Sequence, residues 1–323
     1  MSIKLGSSDI SKVYLGANEV SKIYLGATEI YSAASFFLDT YTNAAAAYSL
    51  QKLKSTTTNV IKARRSSDDA ELDFTAAEIT DGTLTTWTGA GDGFVQTIYD
   101  QSGEGNNATQ TTANSQPKIV SSGAVILENG KPAMTFDGSS DHFLVWNNTT
   151  APTVFQNMSD AITVLAVEKA TVISGGVTSW DNANTFLELR ANSGGGNVTF
   201  NIGYSNSSFG FGVTDNGASN AEIELSPTVT SIQRLSTSIV NGDDLDVRLN
   251  SVAAIDATFT TASGDRSVGT ADSSFTICVR TRDAGQPDRN FYTGNVQEII
   301  LYKANKTSEI VAMEANTDTR YGL

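Results

Sequence analysis

The feature that most restricts the fold is a pair of Asn-Gly steps set between apolar runs. Val125-Ile126-Leu127-Glu128 and Lys131-Pro132-Ala133-Met134-Thr135-Phe136 flank Asn129-Gly130, and Ser236–Val240 and Leu245–Leu249 flank Asn241-Gly242. The tightest hairpin turns need positive φ, which Asn and Gly tolerate better than other residues, so each step predicts two antiparallel strands joined by a short turn. Around them, runs such as Val60–Arg65 and Phe94–Asp100 are closed by Gly, Ser and Asn turns, and no interleaved helical period supports a parallel α/β sheet. Thr, Ser, Asn and Gly are abundant while Lys and Arg are sparse, which favours strands and turns. The expected class is all-β, with strands of two antiparallel sheets packed as a jelly roll. The one helix expected in the front half spans Ala44–Leu53, where apolar residues fall at helical spacing.

The 21 basic and 35 acidic residues leave a net charge of −14. Such a surface repels phosphate backbones and anionic membranes, so nucleic acid is not expected as a partner. Cys278 is the single cysteine and His142 the single histidine. Within one chain these exclude a disulfide, a thiolate zinc cluster, a Ser-His-Asp triad and a multi-histidine metal site. The opening Met1-Ser2-Ile3-Lys4 lacks the apolar core of a signal peptide, and no run is long enough to span a bilayer, so cytoplasmic synthesis without membrane insertion is expected.

Residues 3–30 repeat with a ten-residue period, seen in Ile3-Lys4-Leu5-Gly6, Val13-Tyr14-Leu15-Gly16 and Ile23-Tyr24-Leu25-Gly26, each followed by polar residues and another β-branched residue. Each copy reads as strand, turn, strand. A ribbon this narrow cannot bury both faces alone, so it needs a partner surface, either another chain or an edge of the main domain. These tandem copies resemble the N-terminal segments of bacteriophage virion proteins of tails, fibres and head appendages. The resemblance implies that residues 1–32 attach or oligomerise the chain, that residues 33–323 form the displayed domain, and that the partners are other virion proteins and further copies of the chain in a homo-oligomer on the particle.

Two stretches of the main domain carry further resemblances. Phe291–Tyr302, followed by Ser308-Glu309 and a helix ending near Tyr321-Gly322-Leu323, resembles the closing strand and terminal helix of laminin-G-like, concanavalin A-like jelly rolls. Ala47-Tyr48-Ser49-Leu50, Arg64–Asp69, Thr97-Ile98-Tyr99-Asp100-Gln101-Ser102-Gly103-Glu104-Gly105-Asn106-Asn107-Ala108 and Gln116-Pro117 together resemble the front half of the catalytic domain of arabinofuranosidase B type glycoside hydrolases. That covers about a third of the chain. The family's stabilising cysteines and its second sugar-binding domain have no counterpart here.

Retaining glycosidases need two carboxylates flanking one bond. The resemblance places the nucleophile at Glu188, in Phe186-Leu187-Glu188-Leu189-Arg190, and the acid/base at Asp283. Glu188 can equally be a strand residue paired with Arg190, and Asp283 a turn residue. For glycan binding without cleavage, Trp146, Trp180 and Tyr204 are the candidate stacking residues, with Trp87, Phe209 and Phe211 beside them and amides at Asn147, Asn148, Asn182 and Asn184; core packing is the competing fate of each ring. No cofactor is expected. Calcium is the one metal that Asp68-Asp69, Asp137–Asp141 and Asn241–Asp244 could hold, although such residues also serve as turn formers. The functional expectation is a virion structural protein whose jelly roll contacts host glycans. The alternatives are a retaining glycosidase and a decoration subunit without ligand.

Overall fold

The computed structural model describes residues 36–149, 161–173, 184–190, 198–205, 207–214, 221–259, 273–280 and 290–323, with 4–5, 8–9, 14–15, 18–20, 22–25, 28–32, 152 and 155. The body is an antiparallel β-sandwich. Sheet I is centred on Thr293–Tyr302, which pairs with Ala46–Ser49 and Met134–Asp137 along one edge and with Ala161–Ala170 along the other. The sheet continues through Arg234–Asn241, Asp244–Leu249 and Val252–Thr258. Sheet II runs Phe143–Thr149, Ser273–Ile277, Asn184–Arg190, Val198–Ser205, Ser208–Thr214, Ala221–Thr228. A strand at Gly93–Ile98 and its neighbours Ile61–Arg65, Lys118–Ser121 and Ala108–Thr109 bridge the two sheets at one end, through ladders to Met134–Asp137 and Phe143–Thr149.

Both faces of sheet I are buried at Ala161–Ala170, and this explains why that strand is apolar almost without alternation. Its residues Ile162, Val164, Ala166 and Ala170 face sheet II in the main core, while Leu165 and Val167 face a second core. Phe37 and Leu38 from the helix Phe37–Thr40, and Ile310, Met313 and Tyr321 from the helix Ile310–Tyr321, complete that second core. The longer helix stops at Gly322, whose φ of 70° lets its N–H reach the Asp318 carbonyl at 2.7 Å.

Both Asn-Gly hairpins form. Asn129 and Gly130, at φ 49° and 72°, turn Leu127–Glu128 back onto Lys131–Pro132. In the second, Asn241 pairs with Asp244, so the turn falls one residue later and the left-handed position belongs to Gly242. The expected helix over Ala44–Leu53 is instead a strand, Ala46–Ser49, paired with Glu298–Leu301 and buried throughout. Tertiary context overrides alanine's helix preference here. Ala46 packs in the main core and Ala47 in the second, so small side chains let both layers close on this strand.

The three N-terminal copies each pair within themselves, Lys4–Leu5 with Ser8–Asp9, Tyr14–Leu15 with Asn18–Glu19, and Lys22–Leu25 with Thr28–Ser32. Among the described residues none of these strands pairs with the sandwich. No helix among the described residues is long and apolar enough to cross a membrane.

Candidate functional site

Sheet II separates chemistry by face. Leu187, Leu189, Phe200, Ile202, Phe275 and Ile277 fill the main core. Period-two alternation therefore sends Glu188 to the opposite face. Directly across from Glu188 stand Asn201 on one flanking strand and Thr276 on the other. All three are fully buried. Asn201 Nδ2 donates to Glu188 Oε2 at 3.1 Å, and Arg280 Nε stands 3.4 Å from the same oxygen. One turn of the pleat along, Arg190 lies opposite Ser274, also on this face and also buried. This row of amide, carboxylate, hydroxyl and guanidinium groups is buried on the face opposite the core, where such groups are costly unless paired with one another. Arg280, with 15 % of its side chain exposed, is the member of the Glu188 pair that meets solvent.

The cation beside Glu188 is thus Arg280, and sequence reasoning missed both it and Asn201. Arg280 precedes Asp283 by three residues in the sequence. Asp283, Trp180 and Asn182 lie outside the described residues. Trp146 lies on Phe143–Thr149 opposite Phe275.

Tyr204 is no stacking platform: it is 2 % exposed and forms part of a polar cluster inside the main core. Its hydroxyl donates to Glu168 Oε1, and Tyr292 donates to Glu168 Oε2 at 2.6 Å. Arg234, opposite Glu168 in the ladder, donates to the Tyr204 oxygen at 3.0 Å and holds its Nε 3.9 Å from Glu168. Burial pushes the Glu168 carboxyl above the usual carboxylate range against the pull of Arg234 and the two hydroxyls. Both phenols are driven up, first by burial and then by the Glu168 charge. The sequence signal for this cluster was a glutamate inside the two-sided apolar strand Ala161–Ala170. Phe209 and Phe211 are likewise fully buried. Trp87 is partly buried, edge-on to Phe74 and under the Arg65 guanidinium.

The Tyr99–Asn107 motif is a structural clamp. Asp100 Oδ1 accepts the Ala47 and Ser102 N–H groups, and Oδ2 accepts the Asn106 N–H and the Ser102 hydroxyl. Gln101 Nε2 donates to the Ser49 and Gln51 carbonyls while its Oε1 accepts the Leu53 N–H. Asn106 donates to the Ala45 carbonyl, and Tyr48 donates back to the Asn106 carbonyl at 2.5 Å. Its sequence marks a loop that seats the first strand of the sandwich.

The acidic loops are satisfied locally. Asp68 and Asp69 pair with Arg65 and Arg64 at 2.7 and 2.6 Å. Asp137 accepts the N–H groups of Ser139, Ser140 and Asp141. Among the described residues no three His, Cys, Asp or Glu side chains converge as a metal set. His142 is buried between Gln110 and the Ser140 carbonyl, and burial pushes the Cys278 thiol up.

Comparison with solved structures yields arabinofuranosidases of the same fold. An arabinofuranosidase complexed with arabinofuranosyl-α-1,2-xylobiose superposes with a TM-score of 0.58 at 16% identity, over 86% of this chain and 63% of that one. A GH54 α-L-arabinofuranosidase soaked with a cyclic sulfate inhibitor gives a TM-score of 0.58 at 16% identity over 87% of this chain and 63% of that one. The chain therefore spans about 63% of the length of the arabinofuranosidases it matches. A sialyllactose-bound CBM40 of a Ruminococcus gnavus sialidase superposes over 57% of this chain and 96% of that one at 10% identity, with a TM-score of 0.43. No family model and no curated protein matches by sequence. The chain has the β-sandwich fold found in the arabinofuranosidases.

Proposed function

We propose that the chain is a structural subunit displayed on the surface of a bacteriophage particle, held by its N-terminal repeat, with a jelly-roll body that contacts host glycan beside the Glu188–Arg280 pair. The observation that carries the glycan reading is the Arg280 guanidinium, which reaches solvent while anchored on Glu188 in the buried polar row Thr276–Glu188–Asn201. Arg280 is the contact group, since it meets solvent and its planar fork of donors suits hydroxyl and carboxylate oxygens. The hairpins at 4–32 pair apart from the sandwich, which supports an attachment segment over an added edge strand.

The test joins two measurements. Full-length protein and a form lacking residues 1–32 are sized by light scattering, with a defined oligomer that becomes monomeric on truncation expected. Full-length protein and Arg280→Ala are applied to a glycan array, and loss of binding to at least one glycan in the variant is expected. Glycan binding that is the same in both would refute the assignment to this face.

A second reading is a retaining glycosidase with Glu188 as nucleophile and Asp283 as acid/base. It is favoured by the Arg280 contact, which sets the residue three before Asp283 in sequence beside Glu188. Against it, Glu188 is fully buried and ion-paired, so substrate could reach it only if that pair opened. Release of 4-nitrophenol from 4-nitrophenyl α-L-arabinofuranoside by the wild type and not by Glu188→Gln would make this the correct reading.

A further inference from the structure

Two open clefts lie side by side on the clamp loop, lined by loops and the helix Phe37–Thr40, none of which takes part in the Glu188 face. The first, of about 400 Å³, is lined by Lys54, Thr58, Asn59, Tyr99, Gly103 and Asn107 among others. The second, of about 480 Å³, is lined by Leu38, Asp39, Asn43, Lys54, Gly103 and Glu104 among others. Lys54 and Gly103 border both, and the Lys54 ammonium donates to the Ser102 carbonyl at 2.7 Å, forming a low sill between them. Each volume is in the range of small-ligand sites.

We infer that these clefts form one carbohydrate-binding groove, a second glycan site that takes a neutral oligosaccharide running across the Lys54 sill. The lining chemistry sets the class. Threonine hydroxyls and asparagine amides both donate and accept, which matches a ligand made of hydroxyls. Tyr99 contributes an aromatic ring for a sugar face, and its hydroxyl is tied to Asp73 at 2.7 Å. Anionic ligands are disfavoured, because Asp39 and Glu104 line the second cleft, Asp100 lines the first, and the single cation is already engaged by a carbonyl. Apolar ligands find Leu38 and Ala44 in the second cleft and little else.

The groove is also preorganised. The loop Asp100–Asn107 that forms its shared wall is fixed from beneath by the Asp100, Gln101 and Asn106 bonds to the Ala45–Leu53 segment. A wall already held rigid needs little ordering when a ligand arrives. The clamp motif thereby has a use beyond holding a strand, since it presents its outer surface as a recognition edge.

The test titrates cellohexaose, xylohexaose and maltohexaose into the full chain by calorimetry. Binding of at least one is expected. Asn59→Ala and Lys54→Ala should each weaken it at least tenfold, and the exposed control Val252→Ala, outside both clefts, should leave it unchanged. Unaltered thermal midpoints of Asn59→Ala and Lys54→Ala show that the sandwich is intact. Failure of all three sugars to bind overturns the inference. So does binding abolished by Arg280→Ala and indifferent to the two groove variants, an outcome that would leave the glycan reading of the Glu188 face standing.

Discussion

Replacing Glu168 with leucine would remove the one acceptor that two buried tyrosines share and the countercharge of a buried arginine. The Arg234 side chain is 3 % exposed and Glu168 not at all. Breaking a buried pair by removing one partner costs about 3–5 kcal/mol, since the remaining charge stays out of water. Tyr204 keeps its bond from Arg234, whereas Tyr292 loses its Glu168 acceptor. A loss of about 4 kcal/mol is therefore expected for Glu168→Leu. With an unfolding entropy of roughly 2.1 cal/mol/K per residue, on the order of 0.7 kcal/mol/K for this chain, that lowers the thermal midpoint by about 6 °C. The combined variant Glu168→Leu, Arg234→Met, Tyr204→Phe, Tyr292→Phe turns the cluster apolar at similar volume and should recover most of the loss, because an apolar core tolerates the exchange better than a half-emptied polar one. Differential scanning calorimetry and urea unfolding followed by tryptophan fluorescence provide the check. A single variant as stable as the wild type, or a combined variant no better than the single one, would refute the reasoning.

Asp141 is raised to about 7, by burial first and by the Asp137 charge second. Its native form holds a proton to higher pH than its unfolded form, so the stability it contributes is complete below about pH 4 and lost as pH rises through about 7. Asp141→Asn should consequently gain on the wild type between pH 4 and pH 8, and parallel urea midpoints across that range would rule this out. Asp100→Ala strips acceptors from the Ala47, Ser102 and Asn106 N–H groups and should cost about 3 kcal/mol; hydrogen exchange at the Ala47 amide should accelerate with it. Gly294→Ala would place a methyl 2.2 Å from the Lys169 carbonyl oxygen at a φ of 156°, and a loss of about 3 kcal/mol in chemical unfolding is expected.

The strand architecture was legible because hairpin turns are local: Asn129-Gly130 needs only its own two φ angles. The Ala44–Leu53 segment misled because its conformation is set by Glu298–Leu301, some 250 residues away. Tyr204 read as a surface ring for the same reason, since only the packing of sheet II on sheet I brings Glu168 to it. Glu188 was legible as a strand residue of interest, and its partners Asn201 and Arg280 were not, because cross-strand neighbours depend on register.

The clamp loop also bears on the order in which the molecule can assemble. The ladder between Ala46–Ser49 and Glu298–Leu301 closes the largest loop in the sandwich, and at about 5–20 residues per second the ribosome delivers its second half roughly 12–50 s after its first. Throughout that interval the apolar segment around Ala46 has no sheet to join. Asp100, Gln101 and Asn106 emerge only about 50–60 residues after it and bind its backbone through their side chains and through the Gln101 N–H, which donates to the Ala47 carbonyl at 2.8 Å. The loop is thus a placeholder, keeping the nascent first strand extended and occupied until the last strand arrives to claim its other edge.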